Sequence, residues 1–108
     1  MDVSAYVKFN SSLPLEEVAA VISHAMCADI PFGGLNEYVR DEMPAVYASK
    51  TIFGLFCIVY GEDGEYCLEL GPEGDFHLSP KAASYVYISE FIAEVLRTVG
   101  GIYNVEAL

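Results

Sequence analysis

The sequence predicts an α+β domain in which an antiparallel sheet carries two helices on one face. Three observations predict it. Residues Ile52 to Leu70 read as a central β-hairpin: an apolar arm to Tyr60, the tight-turn residues Gly61-Glu62-Asp63-Gly64, and an arm that alternates from Glu65 to Leu70. Two segments, one on each side of this hairpin, repeat apolar residues at helical spacing, and a proline stands near the start of each. Strand-like residues open the chain and close it. The resulting order is strand, helix, strand, strand, helix, strand.

Each element has a local reason. Val3 to Phe9 alternates, with Val3, Ala5, Val7 and Phe9 on one side and Ser4, Tyr6 and Lys8 on the other, as a half-buried strand does. Asn10 to Pro14 breaks it. Ser12 or Leu13 then caps a helix with Pro14 in its first turn and Glu16 and Glu17 at its positive end. Leu15, Val18, Ile22, Ala25 and Met26 make the buried stripe of this helix, which is expected to end between Asp29 and Pro31. Pro31 to Pro44 reads as a connecting loop with room for a short helical turn. Its Gly33-Gly34 lacks the residues that complete a phosphate or dinucleotide loop.

From Ala45 the chain turns strand-like and runs into the hairpin, with Gly54 as a candidate bulge. Gly71 to Asp75 is a second turn cluster. Ser79-Pro80 signals the start of the second helix, with Tyr85, Ile88, Phe91, Ile92, Val95, Leu96 and Val99 as its apolar stripe. Glu90, Glu94 and Arg97 face water, Gly100-Gly101 stops the helix, and Ile102 to Glu106 is the last strand. Neither a repeat nor a linker divides the chain, so residues 1–108 are read as one domain. The βαββαβ order is that of the ferredoxin-like split βαβ plan.

Composition narrows the function classes. Of 108 residues, 54% are hydrophobic, enough for a core without disulfides or metals. Sixteen acidic residues against five basic ones give a net charge of −11, which opposes direct contact with nucleic acid or anionic membranes and favours basic partners. Acidity also serves solubility alone. The three cysteines lie in apolar stretches, as reduced thiols of a cytoplasmic protein do, and Cys57 and Cys67 fall on opposite hairpin faces. The first residues carry no signal-peptide pattern, and the longest apolar run, Thr51 to Gly61, is too short to span a bilayer. A soluble cytoplasmic protein is expected.

The hairpin pattern assigns faces. Phe53, Leu55, Cys57 and Val59 share one with Tyr66, Leu68 and Leu70, and this apolar face belongs under the helices. The other face holds Ile52, Phe56, Ile58 and Tyr60 with Glu65, Cys67 and Glu69, and the first strand adds Tyr6 and Lys8. If open, it is a patch for protein contact; a homodimer partner, the 31–44 loop or the C-terminal segment are the alternatives that would cover it. Acidic residues gather in three groups: Glu37, Asp41 and Glu42; Glu62, Asp63 and Glu65; Glu73 and Asp75. Such groups are ordinarily solvated loops, yet together they can imitate a phosphate array and steer onto a basic surface. The candidate partner-binding residues are therefore Glu62, Asp63, Glu65, Glu69, Phe56, Ile58, Tyr60, Tyr6, Glu37, Asp41 and Glu42.

No catalytic residue, metal or cofactor is assigned. Glu62-Asp63-Gly64-Glu65 lacks the spacing of a calcium loop. His24 and Cys27 stand three apart on the first helix, but zinc needs two further ligands from His77, Cys57 and Cys67, and His24 reads as a helix-surface residue. A cysteine nucleophile with His77 needs an electropositive site in a chain short of cations. Glu65 and Glu69 share a strand face, as surface carboxylates often do. Ser49, Ser79 and Ser89 lie in no nucleophile-elbow motif.

In size, acidity, cytoplasmic character and its hairpin-plus-helix plan, the whole chain resembles the small acidic inhibitors of bacterial conflict systems. These are immunity proteins that neutralise a toxin and phage proteins that block a host CRISPR or restriction nuclease. The resemblance implies stoichiometric binding of a basic protein or nucleoprotein effector, without catalysis. Buried aromatic anchors would fix the complex. A second hypothesis is a homodimer that binds a small molecule near Tyr6, Phe56 and Tyr60. The third is an enzyme using Glu65, Glu69 or Cys67.

Overall fold

The computed structural model describes residues 2–33, 39–40, 43–51, 55–72 and 85–108. Among them are β1 (Asp2–Ser11), α1 (Leu15–Met26), β2 (Phe32–Gly33), β3 (Val39–Arg40), β4 (Met43–Ala48), β5 (Leu55–Glu62), β6 (Glu65–Pro72), β7 (Tyr85–Tyr87), α2 (Ser89–Arg97) and β8 (Ile102–Ala107). The expected α+β class holds. The βαββαβ order does not: β2, β3 and β4 stand between α1 and the hairpin, and β7 stands between the hairpin and α2.

The strands form one sheet in the order β2-β4-β5-β6-β1-β7, with β3 also on β4 and β8 also on β1. All pairings are antiparallel except β1 with β7. In the centre, β5 and β6 form the predicted hairpin, in register from Leu55 opposite Pro72 to Glu62 opposite Glu65. Asp63 and Gly64 make its turn with φ of 55° and 81°, the left-handed pair that a two-residue hairpin turn requires. Gly61, at φ 137°, has no alternative: a Cβ there would lie 2.1 Å from the Glu65 carbonyl oxygen.

Both helices lie on one face. α1 turns Leu15, Val18, Ala19 and Ile22 inward over β4 and β5, and α2 turns Ile92, Ala93 and Leu96 inward over β1 and β8. They meet Ala5, Val7 and Phe9 of β1, Cys57 and Val59 of β5, and Tyr66, Leu68 and Leu70 of β6. Each fully buried aliphatic side chain in this layer contributes about 1.5–3 kcal/mol. The predicted face assignment is thus correct wherever the residues are described; Ile52, Phe53 and Gly54 lie outside them.

The helix limits differ from expectation. Pro14 is the N-cap of α1 in an extended conformation rather than a first-turn residue, and Cys27 is the C-cap. Tyr85–Tyr87 is a strand and α2 begins only at Ser89. The aromatic and β-branched triplet Tyr85-Val86-Tyr87 pairs alongside Asp2, Val3 and Ser4. This rotates the stripe, so that α2 buries Ser89, Ile92, Ala93 and Leu96 and leaves Phe91 at 66% exposure. Ser79 and Pro80 lie outside the described residues.

The outer edge of β1 is shared. β7 pairs with residues Asp2–Ser4, and β8 pairs from Val7 to Ser11. At the seam the Tyr6 N–H donates to Ser89 Oγ at 2.9 Å, and the Leu108 N–H donates to the Tyr6 carbonyl at 2.9 Å. The first residue of α2 therefore closes the gap between two strands. Farther along, β8 carries a bulge, where Asn104 adopts φ 53° and its amide donates to Asn10 Oδ1 at 3.2 Å.

Candidate functional site: the acidic hairpin tip and the second sheet face

The hairpin tip is an acidic projection on a rigid base. Glu62 and Glu65 oppose each other directly across the turn, with Asp63 between them, and all three are exposed. Like charges in that position destabilise a strand pair unless a cation joins them. Among the described residues no cationic group lies within 4 Å of these carboxylates; Arg97 pairs instead with Glu90 and Glu94 on α2. The turn is tied down by Gly64, whose carbonyl accepts the Ser11 N–H at 3.1 Å and the Asn10 side-chain amide at 3.0 Å. The Tyr66 hydroxyl donates to the Leu13 carbonyl at 2.7 Å. Burial, then the charges of Asp63 and Glu16, raise the Tyr66 hydroxyl above the ordinary phenol value.

Beside the tip, on the face away from the helices, runs a groove of about 370 Å³. Lys8, Asn10, Glu65, Asn104 and Glu106 supply its polar groups and Met43, Tyr66 and Cys67 line it further. Register explains the gathering: Lys8 lies opposite Cys67 on one side and Glu106 on the other, so strand pairing alone brings these side chains to one face.

The middle of this second face is closed. Ile58, Tyr60, Cys67 and Glu69 are exposed by only 0%, 1%, 8% and 4%, and Tyr6 and Met43 pack against Ala45, Ile58, Tyr60 and Cys67 as a second, smaller core. The expectation of an open apolar patch is corrected here: Ile58, Tyr60 and Glu69 are interior groups, while Phe56 and Tyr6 are half-buried. The signal was present in β5, whose unbroken run Cys57-Ile58-Val59-Tyr60 is the pattern of a strand covered on both faces.

Burial of polar groups here is compensated. The Tyr6 hydroxyl donates to Cys67 Sγ at 3.7 Å and so accepts from the Tyr60 hydroxyl at 2.9 Å. Burial raises the Tyr6 hydroxyl above the ordinary phenol value, against the lowering effect of the bond from Tyr60. Tyr60 is raised far higher, first by burial, then by its bond to Tyr6 and the nearby Glu69 and Cys67 charges. Phenols held protonated in this way are donors, not bases. No buried side-chain nitrogen or oxygen among the described residues lacks a partner.

The remaining candidates are dispersed. Glu37, Asp41, Glu42, Glu73, Asp75 and His77 lie outside the described residues. His24 is exposed and bonds Asp29 at 3.0 Å, in accord with a helix-surface role. All three cysteines are free thiols and buried, and Cys57 and Cys67 do lie on opposite faces. Cys27, the α1 C-cap, and Cys57 of β5 belong to the same buried core, a proximity that the sequence concealed; Cys57 draws the Cys27 thiol below its ordinary value, while Cys27 and burial push Cys57 well above it. Among the described residues no group of three or more His, Cys, Asp or Glu side chains is placed to hold a metal ion, and no helix is long and apolar enough to cross a membrane. Comparison with known proteins finds no match to the chain among family models, curated proteins or solved structures.

Proposed function

We propose that this protein is a non-enzymatic acidic binding protein that occupies the basic, nucleic-acid-handling surface of an effector in the cytoplasm. The phage anti-defence form, an anti-CRISPR or anti-restriction inhibitor, is preferred over an immunity protein that neutralises a toxin. The observation that carries the reading is the hairpin tip: three exposed carboxylates, two of them directly opposed and none paired with a cation among the described residues, on a chain of net charge −11. A cationic partner relieves that repulsion, and the −11 field accelerates encounter with it. Since Ile58 and Tyr60 are interior, the recognition residues of this reading are Glu62, Asp63 and Glu65, with Glu37, Asp41 and Glu42 as further candidates.

The test is capture with the tagged protein from cells carrying such defence systems, washed at low and then high salt, followed by association kinetics with the purified partner. A basic nuclease or nucleoprotein released at high salt is expected. The variant Glu62→Lys, Asp63→Asn, Glu65→Lys should slow association at least tenfold; asparagine keeps the left-handed turn residue. An unchanged association rate would overturn the reading.

A second reading is favoured by the groove of about 370 Å³ beside the tip, whose lysine, amides and carboxylates suit a small polar ligand at this face or between two copies. Its test is a thermal-shift screen of nucleotides and other metabolites. Stabilisation that disappears in Lys8→Ala supports it, and the lack of any shift removes it.

A further inference from the structure

A regular antiparallel ladder that sets Tyr103 opposite Asn10 would set Val105 opposite Lys8. Glu106 takes that place instead, because β8 accommodates one extra residue between the two pairs. The irregularity falls at Asn104, whose φ of 53° is left-handed and whose amide is held by donating to Asn10 Oδ1 at 3.2 Å. Asn10 in turn donates to the Gly64 carbonyl at 3.0 Å, which ties β8 to the hairpin turn. Bulges re-aim side chains beside active sites. This one carries Glu106 to the groove of about 370 Å³ beside the tip, where an apolar valine would otherwise face Lys8.

The cation of this groove, Lys8, stands between two carboxylates. Glu106 lies directly across from it on β8, and Glu65 lies diagonally across on β6, two residues before Cys67, which is opposite Lys8. All three charged side chains are exposed, and among the described residues no ion pair joins Lys8 to either carboxylate. Met43 and Cys67 add apolar surface. A polyanion such as a nucleotide would meet both carboxylates and the field of a chain of net charge −11, and a simple cation would meet Lys8. A ligand that carries both an ammonium and a carboxylate satisfies all three groups. We propose that the groove binds a free α-amino acid with an apolar side chain: its ammonium against Glu65 and Glu106, its carboxylate on Lys8, and its side chain over Met43 and Cys67. This rests on the small-ligand reading of the groove and names the ligand class. Charge-assisted hydrogen bonds at the two ends of the ligand fix its orientation, and the strand backbone holds their protein partners in place.

The experiment screens the full chain by thermal shift against each standard α-amino acid, with AMP and ATP in parallel, and titrates the compounds that stabilise it by calorimetry. Apolar amino acids such as leucine and methionine are expected to raise Tm. N-acetyl-leucine, which lacks the ammonium, and leucinamide, which lacks the carboxylate, should each bind about tenfold or more weakly than leucine. Lys8→Ala and Glu106→Gln should weaken leucine binding to a similar degree, with Tm of the ligand-free variants reporting that the exposed substitutions leave the fold intact. Stabilisation by a nucleotide that disappears in Lys8→Ala, with no response to any amino acid, would overturn the ligand class and leave the small-ligand reading standing. No shift with any compound would remove both. Leucine binding that is undiminished in Lys8→Ala and Glu106→Gln, or matched by the N-acetyl and amide forms, would also overturn the assignment.

Discussion

The two faces of the sheet are made by the same strands, yet they are built on different terms. Under the helices, Cys57, Val59, Leu68 and Leu70 belong to a core that is almost wholly aliphatic and aromatic. One residue along each strand, Ile58, Tyr60, Cys67 and Glu69 are comparably buried but include a hydroxyl, a thiol and a carboxylate. The first face needs only volume and hydrophobicity. The second needs every donor to find its acceptor, and it does so with the chain Tyr60 to Tyr6 to Cys67. The first face is therefore sensitive to lost volume and the second to lost partners.

The largest effect that tests this contrast is on the helix side. Leu68→Ala empties a fully buried site and is expected to cost about 2–5 kcal/mol in urea denaturation. A loss below about 1 kcal/mol would mean that the helix layer collapses onto the gap, and the contrast would fail. Next comes Tyr6→Phe, which strands the buried Tyr60 hydroxyl and should cost about 1–3 kcal/mol, whereas Tyr60→Phe leaves Tyr6 its bond to Cys67 and should cost less. Equal losses from the two variants would show that the hydroxyls do not act as an ordered chain.

Alkaline pH sharpens the same contrast. Tyr6, Tyr60 and Tyr66 are raised from 10.0 in the folded state, so above that value the unfolded chain releases protons that the folded one keeps. Stability is then complete below pH 10.0 and falls as pH rises beyond it, and Tyr60→Phe should make the fall shallower. Denaturant midpoints at about pH 8 and pH 11, with phenolate absorbance of the folded protein, measure this. A midpoint that does not move, or full phenolate formation while the protein stays folded, would contradict it. The smallest effect concerns the tip, which neither face supports: Glu62→Lys replaces an opposed like-charge pair with an attractive one and should raise Tm by about a degree or two. A fall in Tm would show that the repulsion is already relieved.

How much of this was legible depended on whether a residue's surroundings were local. The hairpin, its turn at Asp63-Gly64 and the division of Leu55 to Leu70 between faces followed from period-two alternation and were found as expected. The helix of Leu15, Val18 and Ile22 was equally plain. Tyr85 to Tyr87 misled because tyrosine and valine fit a helical stripe as well as a strand, and only the vacant edge of β1 decides between them. β4 lies where the chain reads as strand-like from Ala45, with Ala45 to Ile52 as a candidate additional strand; Pro44 masked its start at Met43. The burial of Ile58 and Tyr60 was signalled by the unbroken apolar run of β5, but the residues that cover that face, Tyr6 and Met43, come from other strands and were not. Cys27 at a helix end and Cys57 in a strand thirty positions on share one core, and a spacing rule has no purchase on that.

The shared edge of β1 also sets a schedule. Residues Asp2–Ser11 find their partners at residues 65–70, 85–89 and 102–108, so the first strand made is the last to be completed. At a synthesis rate of about 5–20 residues per second, β1 waits at least several seconds for β6 to emerge, and longer for the Leu108 N–H that closes its seam. Such sequence-distant pairing places folding toward the slow, millisecond-to-second end of the range for single domains. Through that interval Val3, Ala5, Val7 and Phe9 form an unpaired apolar strand on the nascent chain, a natural target for a holding chaperone.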